Sequence, residues 1–397
     1  MAEALLLEVG AMFAAVALVS FVSGRIDISP IPLYILAGVA LNEHVVGSLG
    51  LPAVHASEFV EVGAELGIVF LLFFLGLEFN LGRLVADRAR IGAAGVADFA
   101  VNFPIGFAAG WLLFGGVVPA ILLGGVVYVS SSAIVTKTML DLGWIANPES
   151  SPILGTLVFE DLVVAAYLAV VSAVVLGGES LAEAATAVGI ALAFIVALVV
   201  AAAVGTRFLE GVLDTPSSEF FVLRVLGVTI PIAGAALVLG VSEAVAAFFV
   251  GMAFSNTSYV HDLETVLSPL RDTFAAVFFF WIGLVTDPGL VIAAAGPVLA
   301  LVAVSIPGKI LSGYVSGGRY DLSQKRSLRV GIGLIPRGEF SLIIATAALT
   351  AAAAGTLPQA TANAIYAATV GYVLVMSLVG TILMQVSGRI EAVVFPA

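Results

Sequence analysis

Cysteine is absent from the 397-residue sequence, which excludes disulfides, thiolate metal sites and thiol nucleophiles together. Charge is scarce: 11% of residues are Asp, Glu, Lys or Arg, against about 25% in an ordinary soluble domain. Positive charge is scarcer still. Lysine occurs only at 137, 309 and 325, and a formal net charge of −12 argues against nucleic acid as a partner. The three histidines, His44, His55 and His261, all fall in or at the edge of predicted connections, which disfavours an imidazole proton relay. No HExxH, GxSxG or phosphate-binding loop is present, so the sequence does not read as an enzyme. No stretch reads as a separate soluble domain. The first apolar stretch lacks a preceding basic region and therefore reads as a permanent helix and not as a cleaved signal peptide.

What the sequence does have is apolar length. Hydrophobic residues make up 61% of the chain, and the mean hydropathy is +1.17. Stretches of about 20 apolar residues, enough to cross some 30 Å of hydrocarbon, recur from Leu5 to Met384. The expected fold is an all-α polytopic membrane protein of about thirteen transmembrane helices. They are placed near 4–23, 31–47, 61–79, 91–114, 118–140, 152–176, 184–205, 221–240, 242–256, 272–286, 289–313, 328–350 and 361–386. Of the fifteen basic residues, all but Lys309 and Arg337 fall in the odd-numbered connections, within about a turn of them, or in the C-terminal tail, and none in the even-numbered ones. By the positive-inside rule this sets the N-terminus outside and the C-terminus in the cytoplasm of a cell-membrane protein.

Segments three and ten share a pattern, Phe73-Phe74-Leu75-Gly76-Leu77 and Phe279-Phe280-Trp281-Ile282-Gly283-Leu284. Segments two and nine share Ala-Gly-Val-Ala at 37–40 and Val-Gly-Met-Ala at 250–253. Each pair lies seven segments apart, and an odd separation makes the copies cross in opposite directions. The reading is two inverted repeats, about 4–176 and 221–386, around a linking helix at about 184–205, all within one transmembrane domain. Such repeats are a transporter signature, because mirror-related halves give inward- and outward-facing states of similar energy.

Two segments carry interruptions, Ser130-Ser131-Ser132-Ala133-Ile134-Val135-Thr136-Lys137 and Pro336-Arg337-Gly338-Glu339-Phe340, and both read as broken helices. Freed carbonyls and hydroxyls at membrane depth suit a dehydrated cation. Arg337 and Glu339 are expected to offset the charged ends of half-helices, in preference to binding the ion directly. Segment six carries adjacent carboxylates, Glu160 and Asp161, inside an apolar run. An ionised side chain at the bilayer centre costs roughly 2.5–3.5 kcal/mol, so a pair there points to function; a helix end near the surface is the alternative. Lys309 is the candidate ammonium partner at depth, unless it snorkels to an interface. A carboxylate that holds either a proton or a monovalent cation makes the two compete, and competition with alternating access is exchange. Asp98, Asn102, Glu65, Glu78 and Glu243 read as helix-end or cavity residues.

Together with Gly76-Leu77-Glu78-Phe79, Phe159-Glu160-Asp161-Leu162, Ala247-Phe248-Phe249-Val250-Gly251 and Arg337-Gly338-Glu339-Phe340-Ser341, these motifs resemble the cation:proton antiporter-2 family, especially its Kef-type members, over essentially the whole chain. The resemblance implies the fold of the bacterial sodium/proton antiporters, with two crossing discontinuous helices and a homodimer. It implies Asp161 as the ion- and proton-binding carboxylate and Glu160 as its partner. Ser130, Ser131, Ser132 and Thr136 would line the crossover, and Lys309 would be the lysine that some relatives pair with the first acid. Potassium-efflux members usually carry Gln where this chain has Glu160, so the resemblance leaves Na⁺ or K⁺ open. No cofactor is implied beyond the transported ions. Many relatives continue into a cytoplasmic nucleotide-binding domain, whereas this sequence ends at Ala397, which implies either a shortened chain or a separate regulatory subunit. A sodium-coupled carrier of organic anions and a gated cation channel are the competing readings; the first would want a basic cluster at the midplane, the second a ring of subunits.

Overall fold

Backbone polar groups at membrane depth have no water to bond, so a chain this apolar satisfies them within its own helices. The computed structural model describes residues 2–26, 30–78, 86–175, 181–239 and 243–395, and every regular element among them is helical. The helices are α1 (Ala2–Ile26), α2 (Pro30–Leu41), α3 (Glu58–Glu78), α4 (Arg88–Phe114), α5 (Val117–Tyr128), α6 (Ser132–Asp141), α7 (Ser150–Val175), α8 (Leu181–Val204), α9 (Thr206–Leu213), α10 (Ser218–Val238), α11 (Glu243–Phe254), α12 (Val260–Leu284), α13 (Pro288–Ala293), α14 (Ala295–Arg319), α15 (Gln324–Gly333), α16 (Glu339–Ala353), α17 (Gln359–Gln385) and α18 (Ser387–Val394).

A helix lies at each of the thirteen expected segments, but the count of crossings does not follow. Among the described residues eight helices are long and apolar enough to span, or nine if Leu192–Val204 and Thr206–Leu213, bent by 70°, form one span. Part of the difference has a plain cause. Segments two and nine are helices of 12 residues each, about 18 Å at 1.5 Å per residue, and segment twelve is split into α15 and α16. Segment ten is longer than expected, because helix continues outward through charged turns from Val260. His261 is therefore a helical residue and not a connecting one.

The chain divides into two compact units. One comprises Met1–Ser57, Ala89–Ser180 and Phe279–Ala397, the other Glu58–Arg88 and Leu181–Phe278. In the first, α2 meets the end of α12 at glycines. A Cβ at Gly38 would collide with the Phe280 carbonyl, and one at Gly283 with the Ile35 carbonyl. In the second, α3 meets α11 the same way: a Cβ at Gly76 would collide with the Phe248 carbonyl, and one at Gly251 with the Phe73 carbonyl. The four glycines are those of the shared sequence patterns. Each short helix thus packs backbone to backbone on a longer one.

Within the first unit a charged clamp holds α15. Glu149, fully buried just before α7, accepts from Arg326 Nη1 at 2.8 Å and Arg329 Nη1 at 2.9 Å. Arg329 also grips Glu391 of α18 through Nε and Nη2.

Alanine at Gly38, Gly76, Gly251 or Gly283 is expected to cost about 1–3 kcal/mol by forcing the helices apart. Thermal unfolding in detergent should show lowered midpoints for all four. Gly10→Ala, where a Cβ meets nothing within 4 Å, should leave the midpoint within a degree or two.

Candidate ion-binding site

Two helix breaks face each other in the first unit. Between α5 and α6 the chain is extended at Val129 (φ −74°, ψ 130°) and Ser131 (φ −88°, ψ 105°). Serine favours this, since its hydroxyl can replace helical hydrogen bonds and cap the next helix. Ser131 does so, accepting from the Ile134 N–H at 3.3 Å. Between α15 and α16, Pro336 lacks an N–H and disfavours helix at Ile335 before it. The breaks touch: the Ser131 N–H donates to the Pro336 carbonyl at 2.9 Å, and a Cβ at Gly338 would collide with the Ser131 hydroxyl. Gly338 is needed for this close approach.

Arg337 is fully buried and spends its donors on the breaks. Nη1 donates to the carbonyls of Leu334 (2.8 Å) and Ile335 (2.7 Å), at the end of α15. Nη2 donates to the Val127 carbonyl (2.9 Å), at the end of α5, and to Ser305 Oγ (3.1 Å). Nε reaches the Tyr372 hydroxyl at 3.0 Å. One guanidinium thus sits at the negative ends of both first halves. Glu339 is the first residue of α16; its side chain lies outside the described residues.

Beside the crossing, three helices bring charges together. Lys309 Nζ on α14 donates to Asp98 Oδ2 on α4 at 2.7 Å and to Glu160 Oε1 on α7 at 2.8 Å, and all three side chains are completely buried. Lys309 therefore does not snorkel to an interface. Asp98 Oδ1 accepts from Ser312 Oγ (2.6 Å) and Asn102 Nδ2 (2.9 Å). Glu160 Oε2 accepts the Ser130 N–H at 2.5 Å, and its Oε1 lies 3.0 Å from Ser130 Oγ. Small residues permit the approach: a Cβ at Gly95 would enter the Phe159 ring, and one at Gly308 would press on Asn102. Asp161 is placed differently. Ser132 Oγ reaches both its carboxylate oxygens, at 3.2 and 3.0 Å, and it keeps 5% exposure where Glu160, Asp98 and Lys309 keep none. Thr136, one turn beyond Ser132 on α6, has a buried hydroxyl with no partner among the described residues.

Sequence reasoning ranked Asp98 among helix-end or cavity residues, and the structure moves it to the centre of the cluster. A signal was present. Asp98 and Asn102 are four apart, and Ser305, Lys309, Ser312 and Ser316 follow steps of four, three and four, one polar stripe on an apolar helix. Tyr372 carried no such signal.

Buried carboxylates, oriented hydroxyls and two interrupted helices, all within a helical membrane bundle, define a secondary transporter for a small cation. The comparisons agree. Residues 11–386 match the family described as sodium/hydrogen exchanger, transmembrane, and the chain belongs to that family. It is 35% identical to the K⁺/H⁺ antiporter subunit KhtU of Bacillus subtilis, over 97% of this chain and 94% of that one. It is 31% identical to the ammonium/H⁺ antiporter subunit AmhT of Alkalihalophilus pseudofirmus, over 96% and 92%. Its fold is that of the sodium proton antiporter MjNhaP1 of Methanocaldococcus jannaschii, with a TM-score of 0.71 at 17% identity, covering 97% of this chain and 99% of that one. The protein is a multi-pass, monovalent cation/proton antiporter and not an enzyme.

Replacing Arg337 by Met takes from the buried Ile335 and Val127 carbonyls the donor it supplies, at about 1–3 kcal/mol each. The expected result is a large drop in the thermal midpoint in detergent, with Arg337→Lys recovering only part of it, because an ammonium lacks the planar fork. An unchanged midpoint for Arg337→Met would remove the guanidinium from its structural role.

Proposed function

We propose that Asp161 is the carboxylate that carries a monovalent cation one way and a proton the other. The supporting observation is the division of labour in the cluster: Glu160 and Asp98 are committed to Lys309, whereas Asp161 takes the Ser132 hydroxyl and keeps 5% exposure. Ser132 would supply one neutral ligand and Thr136, whose hydroxyl has no partner among the described residues, another. Glu160 is the partner acid, held by Lys309 and the Ser130 backbone. Ser130, Ser131 and Arg337, with Glu339 at the head of α16, keep the crossover open. A carboxylate cannot bind proton and cation at once, so alternating exposure of Asp161 to the two sides gives coupled exchange. No step in it calls for a cofactor.

For the cation we propose K⁺ ahead of Na⁺. Two relatives above 30% identity are named for K⁺ and for ammonium, ions of similar size and both larger than Na⁺. Both are named as subunits, which supports a separate regulatory chain as partner. The homodimer, the two inverted repeats around the linking helix, the cell membrane as location, and an outside N-terminus with a cytoplasmic C-terminus complete the proposal. An organic anion is disfavoured, since the two buried cations are occupied, Lys309 by carboxylates and Arg337 largely by carbonyls.

The test is pH-dye fluorescence in proteoliposomes with an imposed proton gradient. K⁺, and more weakly Na⁺, should collapse the gradient in wild type, choline should not, and Asp161→Asn should abolish the response. An equally active Asn variant would refute the assignment. Competition makes a second prediction. A tenfold rise in cation should move the acid-side midpoint of transport down by about one pH unit, because more protons are needed to displace the cation. A midpoint indifferent to cation concentration would exclude a shared site.

A further inference from the structure

A buried Ser or Thr in an apolar helix commonly satisfies its hydroxyl by donating to the carbonyl one turn back. Thr138, Thr286, Ser377 and Thr381 all do so here, at 2.7–2.8 Å. Thr156 on α7 and Ser316 on α14 do not. Both are completely buried, and neither hydroxyl has a partner among the described residues. The two helices run antiparallel and meet at two levels. Glu160 accepts from Lys309 at 2.8 Å, and a Cβ at Gly155 would lie 3.4 Å from the hydroxyl of Tyr320, which follows α14. Thr156 falls between Gly155 and Glu160 on one side and Ser316 between Lys309 and Tyr320 on the other, so the register sets them opposite each other. Rotation about each helix, at 100° per residue, agrees. On α7, Thr156 lies between the face that meets α4 through Phe159 and the face that meets α15 through Ile153. On α14, Ser316 lies between Ser312, which meets Asp98 of α4, and Gly313 and Gly317, which pack on α15. Both hydroxyls therefore point into the space that these four helices enclose. Asp161, five positions beyond Thr156, points about 140° away from it round α7, so this space is not the one proposed for the cation.

We infer that Thr156 and Ser316 bind one water molecule between them, as a bridge from the helix of the acidic pair to the helix of the lysine. A buried hydroxyl left unpaired is costly, and a buried water takes two to four polar partners, of which these side chains supply two. The ligand is neutral. Glu160, the acid one turn away, has Oε1 on Lys309 and Oε2 on the Ser130 N–H, so it is not free to hold a cation there. The water makes a second link between α7 and α14, one turn from the Glu160–Lys309 pair, and it stands whether or not the exchange reading holds.

The experiment deletes the hydroxyls singly and together. Thr156→Val keeps the branched shape of the side chain, and Ser316→Ala removes a single heavy atom. Two dry hydroxyls would be unpaired buried groups, and deleting either would relieve that cost and raise the thermal midpoint in detergent. With a shared water, each deletion should lower the midpoint by a few degrees. The double variant should then lose little more than one single variant, because the first deletion already breaks the bridge. A midpoint that holds or rises in either single variant overturns the inference, and so do losses that add in full in the double variant. Where a variant cannot be purified folded, the wild type decides by itself: a high-resolution density map should show a peak within hydrogen-bond reach of both hydroxyls. A map that resolves other buried waters and shows none between Thr156 and Ser316 overturns the inference.

Discussion

Two helices stop in the middle of an apolar bundle, and the rest of the site depends on how their broken ends are satisfied. An interrupted helix at that depth exposes carbonyls and N–H groups that lipid cannot solvate. Here the breaks solve the problem for each other, through the Ser131 to Pro336 backbone bond and through Arg337, which reaches carbonyls from both. The N–H that opens the second half of one helix is left to Glu160, which ties the acidic helix α7 to the crossing. Remove any of these partners and a buried polar group is stranded.

Charge follows from that constraint. The guanidinium at the crossing is used up by carbonyls, so the carboxylates of α4 and α7 depend on a second cation, and Lys309 meets two of them. The third, Asp161, takes the Ser132 hydroxyl and keeps a trace of exposure. The site thus separates structural ionic contacts from the group proposed to carry cargo, though Glu160 and Asp161 are adjacent in the chain. Adjacent positions on a helix point about 100° apart, which lets one face the ammonium and the other the Ser132 hydroxyl of α6.

Much of this was legible in the residues. Hydropathy alone shows a helical membrane protein, because no soluble core could take up so much apolar surface. The Ser-Ser-Ser run and the Pro-Arg-Gly run mark the breaks, since each denies the helix its usual hydrogen bonds. Glu160 and Asp161 stand out as costly residues in an apolar run. The glycines of the repeated patterns were visible too, but their purpose was not. Only the packed chain shows that Gly38 lies against the helix of Gly283, and Gly76 against that of Gly251.

Asp98 shows where sequence reading ends. A lone acid in an apolar helix has the same one-dimensional appearance whether it faces a cavity, a helix end or an ammonium 211 residues later. The number of spans is a similar case, because a 12-residue apolar helix and a full crossing differ in where the helix stops, which composition marks poorly. What the sequence determined by itself was the solvent, the helical class, the two breaks and the identity of the costly charges, all consequences of local composition. Which charges meet, which carbonyls Arg337 holds, and which carboxylate keeps a trace of exposure were decided by tertiary structure, because they depend on side chains of α4, α6, α7, α14 and the two breaks brought within hydrogen-bond distance.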